Sequence, residues 1–66
     1  GSTPQKEDLD SLIEEFPKFA PLYYNRGILE IKYETGLEDL KKAVSLTPEW
    51  GRAHGALAAS YIFRRR

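Results

Sequence analysis

The sequence predicts an all-α fold of about four antiparallel helices grouped in pairs, and three observations carry that expectation. Apolar residues recur at helical spacing, prolines divide the chain at matching places, and the second half repeats the first at an offset of 31 residues. Glu7-Asp8-Leu9 returns as Glu38-Asp39-Leu40, Pro17 as Pro48, Phe19 as Trp50, Ala20 as Gly51, Tyr23 as His54 and Gly27 as Ala58. Apolar Leu12-Ile13 and Ile31 return as Ala43-Val44 and Ile62. Identities and size classes kept in register on both sides of a proline describe one structural unit used twice.

Each unit's local structure follows from its spacing. Leu9, Leu12, Ile13 and Phe16 stand at i, i+3, i+4 and i+7, one face of a helix, with the Thr3 hydroxyl as cap and Pro4 in the first turn. The first helix is therefore expected over residues 4–16. Pro17 disfavours helical geometry at the residue before it, whereas Pro21 suits a first turn, so residues 16–20 form a tight connection. The second helix is expected over 21–35. Leu22, Tyr23, Tyr24, Ile28, Leu29, Ile31 and Tyr33 make it apolar on more than one side, as a helix between two neighbours requires. Gly36 is expected to end it by accepting a left-handed backbone. The third helix, over 37–46, gathers Leu37, Leu40, Ala43 and Val44 on one face and places Glu38 and Asp39 at its positive N-terminal end. Thr47-Pro48-Glu49 repeats the stop-and-restart logic. A fourth helix over 49–64 should turn Ala53, Leu57, Ala58, Tyr61 and Ile62 inward, and its many glycines and alanines let a neighbouring helix approach closely.

Composition narrows the function. A chain of 66 residues holds one small domain over residues 3–66, behind a Gly1-Ser2 pair that reads as the scar of tag removal. At 41% hydrophobic and 30% charged residues it is expected to fold as an ordered, soluble domain. Ten cations balance ten anions, so no overall charge draws the chain to nucleic acid or to an anionic membrane. No cysteine is present, and His54 has no second nitrogen or sulfur ligand beside it, so neither a thiol nucleophile nor a zinc site is expected. A soluble, cytoplasmic protein without cofactor or metal is the expectation, although no residue specifies the compartment.

A helix pair repeated around proline resembles the tetratricopeptide repeat, whose first helix carries W-x2-L-G-x2-Y and whose second carries A-x3-F before a closing proline. His54, Leu57, Ala58 and Tyr61 follow the large, large, small, aromatic order of that first helix, while Leu40, Ala43 and Pro48 follow the end of the second. The earlier unit departs from it. Tyr23 and Gly27 match, but Arg26 and Glu30 occupy the places of a leucine and a tyrosine, and the 31-residue unit is shorter than the family's 34. The resemblance, to a short or degenerate version of the repeat, covers nearly all of residues 4–64. It implies a right-handed solenoid in which the second and fourth helices line a binding face.

Matched residue by residue, that face presents Tyr24, Ile28, Ile31 and Lys32 from one helix and Arg52, Ala59, Ile62 and Phe63 from the other. The partner-binding set is Tyr24, Ile28, Lys32, Arg52, Ala59 and Phe63, able to hold a peptide or helix through apolar contacts flanked by cations. The competing reading is that the branched pair Ile31 and Ile62 packs against a further helix. A carboxylate clamp of cation and amide one turn apart is not completed, since Pro21 precedes Asn25 and Ala56 follows Arg52. Ser45 or Ser60 could be drawn beside His54 and a carboxylate, but four short helices offer such a triad no cleft. Glu7, Asp8, Asp10, Glu14 and Glu15 read as a solvated face, and Glu38 and Asp39 as dipole partners. Arg64-Arg65-Arg66 could grip phosphate or end a helix favourably.

The leading expectation is a non-catalytic helical-repeat module, a scaffold for protein–protein interaction that binds a peptide or partner helix or associates with itself as a homodimer. The alternative is an excised or engineered repeat unit made for folding or assembly, with no client. An RNA-binding repeat ranks third. Neither an enzyme nor a membrane protein is expected.

Overall fold

A computed structural model describes residues 4–64, with side chains from residue 7 onward. Four helices follow one another: α1 (Pro4–Glu15), α2 (Ala20–Leu29), α3 (Glu34–Leu46) and α4 (Gly51–Arg64). Among the described residues there is no strand, and the fold is all-α. The cap expected from Thr3, the Gly1-Ser2 pair, Arg65 and Arg66 lie outside the described residues.

Pairs of touching residues fix the directions of the helices. Ile13 clusters with Leu22 and Tyr23 near one end of α1, whereas Asp10 meets Arg26 further along, so α1 and α2 run antiparallel. Tyr23 lies under Lys42 while Gly27 lies against Leu40 and Gly36, which sets α2 against α3 in the same sense. Ala43 with Ala53 and Glu34 with Arg64 do the same for α3 and α4. Close packing runs chiefly between consecutive helices, and the Cα envelope is a slab of 31 × 30 × 13 Å. Its core is Ile13, Leu22, Tyr23, Ala43 and Ala53, with Leu9, Tyr24, Val44, Leu46 and Trp50 packed around it.

The sequence repeat is also a repeat of bonds. Phe16 N–H donates to Leu12 O and Thr47 N–H to Ala43 O; Phe19 to Phe16 and Trp50 to Thr47; Leu22 to Phe19 and Ala53 to Trp50. Every second pair is the first displaced by 31. The Tyr23 hydroxyl donates to the Pro17 carbonyl at 2.7 Å, and His54 Nε2 meets the carbonyl of Pro48, the same ring-to-proline clasp one unit on.

Two elements differ from the sequence reading. First, α2 ends at Leu29, and Ile31, Lys32 and Tyr33 lie in the connection. Glu30 leaves helical geometry at φ −111°, and Tyr33 is extended before the first turn of α3. Gly36 belongs to that first turn and has no positive φ, so it does not close α2. What it supplies is proximity: a Cβ at Gly36 would overlap the Glu30 carbonyl oxygen and stand 2.9 Å from the carbonyl of Gly27. Glu34 then takes the favourable N-terminal position, and α3 extends to 13 residues.

Second, α4 is turned differently about its axis. Ala53, Ala56 and Ser60 are buried, whereas Ala58, Tyr61 and Ile62, expected inside, are exposed. The physical reason is the repeat itself. Gly27, the counterpart of Ala58, is buried because Leu40 of the following helix covers it, with a Cβ there only 2.6 Å from Leu40 Cγ. Within this chain no helix follows α4 in the described residues to cover Ala58.

Candidate functional site

Between α1 and α2 lies an open apolar groove of about 480 Å³, lined by Asp8, Leu9, Tyr24, Asn25, Ile28 and Leu29. The local sequence explains its position. On α1, Leu9 shares the inward stripe with Ile13, while on α2 Asn25, Ile28 and Leu29 occupy the side turned away from α3, which covers Tyr23 and Gly27. Ile28 is 39% exposed and Leu29 44%, large side chains that the described residues leave partly open to solvent.

Outside the groove, a charged clamp joins the helices that form it to α3. Arg26 donates from Nε and Nη2 to the two carboxylate oxygens of Asp39, each at 2.8 Å, and from Nη1 to Asp10 Oδ1 at 2.8 Å. Asp39 is nearly buried and Arg26 half-buried, so this planar fork ties α1, α2 and α3 together through charge-assisted bonds. The Asp39 bonds hold the guanidinium above its ordinary pKa, desolvation opposes them, and Asp10 adds to the rise. Asp39 is thus not explained by the helix dipole alone, and Asp10 is not simply part of a solvated face. Arg26, one of the two residues that depart from the repeat pattern, is the cation both bond.

The six residues matched to a binding face do not form one surface. Tyr24 and Ile28 line the groove. Tyr24 also reaches Trp50, with ring centroids 4.9 Å apart, and so joins α2 to the start of α4. Lys32 lies exposed in the α2–α3 connection, separated from the helix on which it was placed. Arg52, Ala59 and Phe63 share one side of α4 at i, i+7 and i+11, with Arg52 and Phe63 exposed and Ala59 half-buried. Ile62 stands apart from them, 67% exposed beside Tyr61 on the outer side of α4. Leu9 and Leu29, which also line the groove, read in the sequence as apolar helix residues and not as part of the binding set. Their helical spacing from Ile13 and Asn25 was the available signal.

The remaining polar clusters hold less. Thr35 Oγ1 donates to Glu30 Oε1 at 3.1 Å across the α2–α3 connection, and Arg64 pairs with Glu34 at 3.2 Å. The Ser60 hydroxyl is fully buried without a hydrogen-bond partner. Among the described residues no group of three or more His, Asp and Glu is placed to hold a metal ion, and no helix is long and apolar enough to cross a membrane. Compared with family models, curated proteins and solved structures, the chain returns no significant match.

Proposed function

We propose that this chain is a non-catalytic helical-repeat module, of short tetratricopeptide type, whose work is protein–protein interaction. The observation that carries the reading is the placement of its uncovered apolar residues. Among the described residues the exposed large apolar side chains are Leu12, Ile28 and Leu29 on α1 and α2, Tyr61, Ile62 and Phe63 on α4, and Phe16, Phe19 and Tyr33 in the connections. A folded domain leaves large apolar groups in patches where another surface covers them. The groove between α1 and α2 has the form that accepts an amphipathic helix, read through anchors one turn apart.

The experiment is a selection of helical peptides against the immobilised chain, followed by amide NMR titration of the ¹⁵N-labelled protein with each selected peptide. Shifts concentrated at Leu9, Asn25, Ile28 and Leu29, or at Tyr61 and Ile62, are the expected result. Failure to select any saturable binder by a chain that also remains monomeric, or shifts spread evenly over the chain, would refute the proposal. The second reading, a repeat unit made for assembly without a client, is favoured by the displacement of the same bonds by 31 residues. It predicts no peptide binder but ordered association of copies.

A further inference from the structure

The repeat specifies what fits the groove. Displaced by one unit, the six lining residues become Asp39, Leu40, Gly55, Ala56, Ala59 and Ser60, of which Asp39, Leu40, Ala56 and Ser60 are buried, Ala59 is half-buried and Gly55 is exposed. The helix lying across Asp39 and Leu40 is α2, with Arg26 on the first and Gly27 on the second. The counterpart of α2 one unit on is α4. Its residues matching Tyr23, Arg26, Gly27 and Ile31 are His54, Leu57, Ala58 and Ile62, of which His54, Ala58 and Ile62 are exposed and Leu57 is partly buried. The empty groove and the uncovered helix are therefore two halves of a contact that the chain already makes once internally.

From this we infer that the partner is a second copy of the chain: α4 of one molecule docks in the α1–α2 groove of the next, head to tail. The inference rests on the interaction-module reading and names its occupant. Charge favours the same pairing. Apart from Lys6, the charged residues of α1 are the carboxylates Glu7, Asp8, Asp10, Glu14 and Glu15, while α4 carries Arg52 and Arg64 and no carboxylate. Residues 1–33 sum to −2 and residues 34–66 to +2, so copies stacked in one direction alternate in sign. The joint is weaker than its internal counterpart, because Leu57 stands where Arg26 clamps Asp39. Association is consequently reversible and concentration-dependent. Because the two surfaces differ, the contact is heterologous and extends beyond a dimer unless its rotation closes a ring.

The test is sedimentation velocity of the whole chain over a concentration series, with Ile62→Glu on α4 and Leu29→Glu in the groove. Both sites are exposed, and far-ultraviolet circular dichroism checks that each variant keeps its helix. Where Leu29→Glu loses helix, Ile28→Glu takes its place. The expected result is a wild-type mass that rises with concentration past the dimer, while either variant alone remains near 7.6 kDa. Mixed in equal amounts, the two variants form a dimer and nothing larger, since each keeps the surface the other has lost. A dimer abolished by Ile62→Glu but indifferent to the groove variant would mean a two-fold α4 contact and overturn the inference. So would a mixture that remains monomeric. A wild-type chain that is monomeric throughout yet binds selected peptides sinks head-to-tail pairing and leaves the interaction module standing; one that does neither sinks both.

Discussion

Replacing Arg26 by leucine, the residue at its repeat counterpart, isolates the clamp that ties three helices together. The guanidinium side chain is 23% exposed and the Asp39 side chain 10%, so the change strands a nearly buried carboxylate that had two bonds of 2.8 Å. Breaking a buried ion pair from one side costs about 3–5 kcal/mol. The added apolar contact of leucine offsets about 1 kcal/mol, leaving a net loss of roughly 2–4 kcal/mol set mainly by the stranded charge. Asp10, whose side chain is 41% exposed, adds little, since exposed pairs contribute about 0–1 kcal/mol. In a domain this small the loss lowers Tm by about 8–32 °C, at roughly 4–8 °C for each kcal/mol. The double variant Arg26→Leu with Asp39→Ala should recover most of it, because the nearly buried carboxylate is then gone and the Asp10 carboxylate that loses its bond is solvated. Thermal and urea unfolding by circular dichroism measure the cycle. If the double variant loses the plain sum of the two single losses, the clamp is not a coupled unit and the account of Arg26 is wrong.

Two further outcomes follow from the glycines. Gly36→Ala should destabilise by more than Gly27→Ala, because the new methyl at residue 36 meets the Glu30 backbone, which cannot rotate away, whereas at residue 27 it meets the Leu40 side chain at the overpacking cost of about 1–3 kcal/mol; urea midpoints of the two variants check the order. Gly55→Ala should stabilise by about 0.5–1 kcal/mol in thermal unfolding, since nothing lies within 4 Å of a Cβ built there and the residue is an exposed position in the interior of α4.

How far the fold was legible depends on what each residue's neighbours in sequence could say. The helix count, the proline junctions and the 31-residue unit are local signals, and the bonds of Phe16, Phe19 and Leu22 return at Thr47, Trp50 and Ala53. Gly36 was misread because a glycine serves a left-handed turn and a close helix contact equally well, and sequence alone does not distinguish them. The Arg26 clamp joins residues 13 and 16 positions apart on three different helices, so its carboxylates look like ordinary surface and dipole charges until the helices are packed. The rotation of α4 was misjudged for another reason. Matching Ala58 to Gly27 is correct as a repeat, but burial belongs to the neighbour that covers a position, and for α4 that neighbour is not in the described chain. The groove was half legible, through Tyr24 and Ile28, because the resemblance pointed to those helix positions and was silent about α1.

The near absence of packing between helices that are not consecutive also governs how such a chain acquires its shape. Most tertiary contacts join elements separated by only one short connection, so chain closure costs little entropy at each step and folding is fast. The α2–α3 pair, most extensively packed and carrying both the glycine contact and the Asp39 bonds, is the natural seed from which order spreads outward. α1 and α4 each rest chiefly on a single neighbour. Hydrogen exchange should therefore grade from a slow centre to fast ends, as in a zipper opened from both sides.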